Sequence, residues 1–412
     1  MAFPRRETAL HLLFLHPDGA RVALQTVTVT TPTYYGQHVL EAAPPGTRLL
    51  RRLHFRALGE AEGVLRAETV WQLHTDAPEG LDWQPLDALT GPGRDWAGAA
   101  RLPATPRRAP WMHPDWQAGA LAWLDAELGA QGRTRLGEPT VLKHWQISLL
   151  WQVETTGGRV YFKAVPDFFG REVQVTPRLA AELPGAAPPV LAADEERGFL
   201  LLREAGQTQE APDLPALMRH LAWVQRRSLP LLPRLPLQDR SPGLLLARLD
   251  DLFSDACLRP GEEGGLTADE AAALRARRPE LEAALKHLDA SPLPLTLGHG
   301  DLHGGNVVVD GAGRFTVLDW SDACRIHPFL DANAAYLSAA PAGAVEEAHT
   351  AYLSAWTDLL PLENLRALHA DALQVGELLR ALGYVDGIQP HVEDPAEWHG
   401  AHLYHLRKLL EG

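Results

Sequence analysis

The stretch Leu295–Ala323, LTLGHGDLHGGNVVVDGAGRFTVLDWSDA, constrains this chain more than any other. Apolar, strand-like runs alternate in it with loops that carry hard oxygen donors. Asp301 and Asn306 stand five residues apart, and Val307, Val308 and Val309 begin directly after. Asp319 follows thirteen residues beyond Asn306, at the end of FTVL. The intervening DGAG is a turn by composition, so the two apolar runs are predicted to pair as a hairpin. Such a hairpin brings Asn306 and Asp319 to one end. An amide oxygen with a carboxylate is a poor set for zinc. It suits Mg2+, which takes hard oxygens and keeps water and phosphate as its other ligands. Asp301, one loop earlier, is then left to orient or deprotonate a hydroxyl.

The rest of the chain sets the class. At 412 residues it is too long for one ordinary core and predicts two or three domains. Its 46% hydrophobic and 22% charged residues are those of a globular protein. The 38 basic against 52 acidic residues, a net charge of −14, argue against nucleic acid as a partner, because phosphate contacts need Lys and Arg patches. Two cysteines, Cys257 and Cys324, build neither a disulfide framework nor a cysteine zinc site. The start, MAFPRRETALHLLFLH, is read as a first strand and not as a signal peptide. No run approaches the ~18 apolar residues of a membrane span. No membrane partner is therefore expected, and the expected location is cytoplasmic.

Along the chain, residues 1–95 are expected to form a strand-rich accessory domain. HLLFLHPDGARVALQTVTVTT is a hairpin pattern, and RRLHFRAL and VLRAETVWQLHT alternate as half-buried strands do. Gly and Pro crowd residues 88–112, and 96–112 is read as a linker. Residues 113–206 are expected to hold a helix, HPDWQAGALAWLDAELGAQG, followed by strands, with TTGG as a hairpin turn. Residues 207–412 are expected to be mostly helical around the opening stretch. The acidic side chains Glu377, Asp371 and Asp386 could meet a cationic amine, but are read as a helix face exposed to water.

The Asp-x4-Asn spacing with a later Asp matches the kinase catalytic loop and its metal-binding aspartate. His299-Gly-Asp301, Asn306 and Asp319-Trp320 more closely resemble the aminoglycoside phosphotransferase family, small-molecule kinases with a protein-kinase-like fold. HPFLDANAAY, with Pro328 and Asp331, is similar to that family's next motif. The resemblance implies an α+β, bilobal fold with a sheet-rich first lobe and a mostly helical second one, here preceded by a separate strand-rich domain. It extends upstream over about residues 137–385. Lys163 in RVYFKAVP would reach the nucleotide's phosphates, Glu172 would hold that lysine, and FLLLREAG would be the hinge that meets the base. The glycine-rich loop is absent before the lysine strand, and Ser148 is the residue there that would touch a phosphate. His299 and Asp331 would support the catalytic loop.

The implied activity transfers the γ-phosphoryl group of ATP or GTP, with Mg2+, to a hydroxyl of a small molecule. Asp301 would be catalytic, and Asn306 and Asp319 would be the metal ligands. The alternative is an inactive, nucleotide-binding regulatory protein, against which the complete residue set argues. ETVWQLHTDAPEGLDWQPLDAL also resembles the end of Nudix hydrolase domains, but that family's metal-binding box is missing.

Overall fold

The computed structural model describes residues 5–30, 36–61, 63–76 and 79–411; the first four residues of the predicted opening strand and Ala77-Pro78 of the Nudix-like stretch lie outside them. The chain forms two compact units. One comprises residues 1–166, 199–201 and 392–397, and the other residues 167–198, 202–391 and 398–412.

In the first unit, β1 (Arg5–Leu15) and β2 (Arg21–Val29) form the predicted hairpin, in register from Thr8↔Val29 to Leu15↔Val22. The turn is set by Asp18, whose carboxylate accepts the backbone N–H groups of Ala20 and Arg21, and by Gly19 at φ +70°. After α1 (Gly36–Ala42) come β3 (Thr47–Ala61), β4 (Val64–Thr75) and the short β5 (Gln84–Pro85). The sheet order is β3-β4-β1-β2-β5, with β1 and β4 parallel. The run LLFL, Leu12 to Leu15, is apolar throughout because both faces of β1 are covered. Leu10, Leu12 and Phe14 pack with Val39 of α1 and with Trp71, whereas Leu13 packs with Val70, Ala97 and Ala100.

Ala97 and Ala100 belong to α2 (Pro92–Arg101), inside the stretch whose composition suggested a linker. Gly91 at the N-cap and Pro92 in the first turn begin this helix, a use of Gly and Pro that composition cannot tell from a loop. Next, α3 (Trp116–Ala130) precedes an antiparallel meander of β6 (Thr140–His144), β7 (Leu149–Val153) and β8 (Val160–Ala164). Thr155–Gly158 turn between β7 and β8 as predicted, with Thr155 Oγ1 donating to the Gly158 carbonyl. Trp116 and Trp123 of α3 pack on Phe162 and Phe199, with ring centroids 5.3–6.3 Å apart.

A segment from late in the chain completes this unit. Glu393 accepts hydrogen bonds from Arg108 Nε (2.8 Å) and Nη2 (2.9 Å), from Arg51 Nη1 (3.2 Å) and from the Thr105 backbone N–H. Its side chain is 12% exposed, those of Arg51 and Arg108 11% and 10%. Arg51 also bonds Gln72 and the last carbonyls of α2, Ala99 and Ala100. Gln146 brackets Asp394 with two bonds, Nε2 to its carbonyl (2.7 Å) and its N–H to Oε1 (2.9 Å).

The second unit is mostly helical. It begins with α4 (Arg171–Glu182), β9 (Val190–Asp194) and the end of β10 (Phe199–Arg203), whose first residues belong to the other unit. Helix α5 (Leu214–Arg227), β11 (Gln238–Asp239) and three short helices, α6 (Pro242–Ala247), α7 (Leu249–Leu252) and α8 (Asp255–Leu258), follow. Then come α9 (Ala268–Ala276), opened by a Thr267/Glu270 capping box, and α10 (Arg278–Asp289). The stretch Leu295–Ala323 carries β12 (Thr296–Gly298), β13 (Val307–Val309) and β14 (Phe315–Val317) and ends directly before β15 (Cys324–Ile326). Helices α11 (Ala342–Ser354), α12 (Leu362–Leu382) and α13 (Ala401–Lys408) close the unit. Their apolar faces build one core with α5 and α10, in which Leu221, Leu285, Phe329, Tyr352, Trp356 and Leu378 are buried. Among the described residues, no helix is long and apolar enough to cross a membrane.

Removing the Glu393 carboxylate leaves two buried guanidinium groups without their counter-charge, so Glu393→Ala is expected to cost about 3 kcal/mol in denaturant unfolding. Burial alone would raise the Glu393 pKa, but the Arg108 and Arg51 bonds outweigh it and hold it below the usual 4.5. A depressed carboxyl stabilises the fold above its unfolded pKa. The gap between wild type and variant is therefore expected to be full above about pH 5 and to close as pH falls through the depressed value.

Candidate active site

Within the second unit, the sequence motif folds as a loop followed by a hairpin. Strands β13 and β14 pair antiparallel, Val307↔Val317 to Val309↔Phe315, as the DGAG turn predicted. The Leu318 N–H donates to the Asn306 carbonyl (2.8 Å), which extends the ladder one step and sets Asn306 and Asp319 at the same open end. Asp319 sits at φ 63°, ψ 64°, a left-handed conformation that costs a non-glycine residue about 1 kcal/mol or more. The Ser321 hydroxyl donates to its Oδ1 (2.8 Å), and Arg171 of α4 donates to the Ser321 carbonyl (2.9 Å).

The loop before the hairpin is tied down at both ends. The buried Asp331 carboxylate accepts the backbone N–H of His299 and, at 3.3 Å, that of Gly300. His299 Nδ1 accepts the Asp301 N–H (3.3 Å), so its Nε2 is the donor to the Leu318 carbonyl (2.7 Å). The imidazole thus links the backbone of Asp301 to that of Leu318, the residue that precedes Asp319. Asn306 Nδ2 donates to the Asp301 carbonyl (3.1 Å), so its Oδ1 is the atom of that amide left to accept. Trp320 packs under the loop, 5.0 Å from the His299 ring, with its N–H on the carbonyls of Ala186 and Val317. The glycines are there for space. A Cβ on Gly300, at φ +83°, would lie 2.5 Å from the Asp322 carbonyl oxygen, and one on Gly304 would lie 2.3 Å from that of Leu337.

Asp301 therefore presents a side chain that is 52% exposed, on a backbone held from both sides. Arg380 Nη1 reaches its Oδ1 at 3.2 Å, and His303 Nε2 lies 3.7 Å from Oδ2. Nearby, burial first, and then the charges of Asp301 and Asp319, push the Asp322 carboxyl up to about 6. The amide oxygen of Asn306 and the carboxylate of Asp319 are hard donors of the kind Mg2+ takes, so the residues fit that ion.

The other residues singled out in the sequence are distributed over both units. Glu172 lies in the first turn of α4 in the second unit and is buried. Lys163 is on β8 of the first unit, opposite Leu150 in the ladder, and only 7% exposed. Ser148, also of the first unit, is buried in the β6–β7 turn, where its carbonyl accepts the Trp145 N–H (2.9 Å). Sequence reasoning missed Arg380, Ser321 and Arg171. Nothing local marks Arg380, whose partner is 79 residues away. The reading of Glu377, Asp371 and Asp386 as a bare acidic face does not hold. Glu377 bonds Tyr336 and His405, Asp371 bonds His287, and Asp386 pairs with Arg248.

Gly300→Ala is expected to destabilise the protein by at least about 2 kcal/mol in thermal or denaturant unfolding, through strain at positive φ plus the clash with Asp322. Gly311→Ala, in open space on the β13–β14 turn, is the matched control and is expected to cost less than about 0.5 kcal/mol.

Comparison with known proteins agrees with this layout. The model of the phosphotransferase enzyme family matches residues 140–368. No curated protein matches the sequence. A choline/ethanolamine kinase family protein from Mesorhizobium loti is similar in structure, with a TM-score of 0.50 and 17% identity over 71% of this chain and 95% of that one. The choline kinase LicA from Streptococcus pneumoniae aligns with a TM-score of 0.47 and 12% identity over 71% and 99% of the two chains. The macrolide 2'-phosphotransferase MphH from Brachybacterium faecium gives 0.46 and 16% over 70% and 97%. None of these findings supports the Nudix likeness.

Proposed function

Because this chain belongs to the phosphotransferase enzyme family, we propose that it is a small-molecule kinase that moves the γ-phosphoryl group of ATP or GTP to a hydroxyl acceptor. The observation that carries this reading is the single bonded body formed by the Asp301 loop and the β13–β14 hairpin. Asp301, Asn306 and Asp319 cannot move independently while His299 and Asn306 hold their bonds. Phosphoryl transfer makes and breaks few bonds within the protein, so positioning and charge stabilisation supply most of the rate.

Asp301 accepts or orients the proton of the acceptor hydroxyl, which suits its exposed carboxylate on a fixed backbone. Asn306 and Asp319 are the residues that would hold Mg2+. Bound there, the ion would neutralise negative charge on the nucleotide's phosphates. Lys163 and Glu172 take the roles the family resemblance assigns them, a cation for the α- and β-phosphates and the carboxylate that sets it. Ser148 is assigned a phosphate contact from the β6–β7 turn.

Asp301→Ala is expected to lower kcat by about 10²–10⁴-fold, the usual contribution of a positioned general base, while Mg2+-dependent nucleotide binding persists in a thermal-shift titration. Asp319→Ala is expected to abolish the Mg2+-dependent part of that shift. Full turnover of an identified acceptor by Asp301→Ala would refute the assignment of that residue. Nucleotide binding by wild type with no turnover of any hydroxyl compound would favour a regulatory protein instead.

A further inference from the structure

A hydroxyl that gives its proton to Asp301 comes within about 3 Å of that carboxylate, so the next neighbours of Asp301 are neighbours of the acceptor as well. On one side, that of α12 and α13, those neighbours are cationic. Arg380, near the end of α12, donates from Nη1 to Asp301 Oδ1 (3.2 Å) and from Nη2 to the Leu302 carbonyl (3.0 Å). Its guanidinium carbon lies 3.7 Å from the centroid of the Tyr336 ring. Lys408 Nζ lies 4.8 Å from the same centroid and 3.2 Å from Tyr336 Oη. Glu377, the second carboxylate joined to this group after Asp301, is spent inside the protein. It accepts bonds from Tyr336 Oη and from His405 Nδ1 (2.7 Å), and Lys408 Nζ is 3.9 Å away. Burial alone would raise the Glu377 pKa, but those partners outweigh it and hold it below the usual carboxylate range.

Resting on the kinase reading above, we propose that the acceptor is an anionic hydroxyl compound whose carboxylate or phosphate is held by Arg380, with Lys408 adding positive charge behind the Tyr336 ring. Arg380 is then the residue that determines acceptor specificity. A guanidinium carries five N–H donors in a flat fork, and the bonds to Asp301 and Leu302 use two of them. The remainder match an oxyanion, as Arg does wherever planar recognition of carboxylate or phosphate is needed. The acceptor oxygen bonds to the γ-phosphorus, the bond from that phosphorus to the β-phosphate oxygen breaks, the hydroxyl proton passes to Asp301, and the nucleoside diphosphate leaves. A cationic acceptor on this side would bring its ammonium against Arg380, where Glu377 is already bonded to Tyr336 and His405.

The test uses the full chain with Mg2+ and nucleotide, and four acceptors that differ mainly in charge: gluconate, glucose 6-phosphate, glucitol and glucosamine. Wild type is expected to use one of the two anions with a kcat/KM at least about tenfold above glucitol, with glucosamine last. Which anion wins distinguishes carboxylate from phosphate. Arg380→Glu is expected to move the anion-to-amine ratio by at least about a hundredfold toward glucosamine. Arg380→Lys, which keeps the charge, is expected to keep the order and so separates specificity from a folding defect. Preference of wild type for glucosamine, or an unchanged ratio in Arg380→Glu, overturns the proposal. If none of the four is turned over, thermal shifts of the nucleotide-loaded protein decide. A shift by an anion that Arg380→Glu abolishes supports the proposal, and no such shift, or one that survives the substitution, overturns it. Mg2+-dependent nucleotide binding by wild type is measured alongside. Its loss would overturn the kinase reading together with this one, whereas nucleotide binding with amine preference overturns only the acceptor class.

Discussion

A buried carboxylate, Asp331, is the constraint on which the site depends. It accepts the backbone N–H groups of His299 and Gly300, two donors that would otherwise be buried without partners. Burial, against those bonds and the Arg380 charge, pushes its own pKa up. Once these two N–H groups are fixed, the His299 ring is placed to bond at both nitrogens. One nitrogen sets the Asp301 backbone and the other the end of β14. A glycine-rich loop loses much backbone entropy when it orders. Here that cost is met by one carboxylate and one imidazole, so the exposed Asp301 side chain needs no contact of its own to be held in position.

The first unit shows the same device at a larger separation in sequence. Glu393 binds Arg51 from β3 and Arg108 from the stretch after α2, residues 342 and 285 positions away. The neighbouring Asp394 is bracketed by Gln146, at the β6–β7 turn that carries Ser148. The strand-rich start of the chain, the turn assigned to phosphate binding and a segment that follows α12 are therefore linked by a few buried polar groups. Buried ion pairs of this kind contribute little net stability compared with apolar packing, but they are specific, because removing one partner leaves an unpaired charge. They determine which segments meet.

Elements with local signals were legible. The Pro-Asp-Gly hairpin, the α3 face, the TTGG turn and the β13–β14 hairpin all follow from turn chemistry and periodicity, and each forms where those signals place it. The helix α2 was not legible, because Gly91 and Pro92 act as an N-cap and a first-turn residue and are spelled like a loop. Residues 242–258 form three short helices, with Ser241 and Ser254 capping two of the starts. At the site, Asp301, Asn306 and Asp319 stood out by spacing, and His299 and Asp331 by the motif around them. Arg380 and the pairing of Glu377 did not stand out, because their partners lie far away in the chain.

What the sequence determined by itself is a set of residue types and the hairpin that presents them: Asp301 before it, and the hard oxygen donors Asn306 and Asp319 at its open end. Those features are local, since their spacing and turn residues act over less than thirty positions. Only the tertiary structure decided the electrical character of what surrounds Asp301. Arg380, Tyr336, Glu377, His405 and Lys408 come from two helices and a loop, and their charges cancel or remain according to which side chains packing brings within a few ångströms. A chain with a net charge of −14 thus sets a guanidinium beside its proposed catalytic carboxylate. Coulomb energies depend on local distance and burial, not on composition.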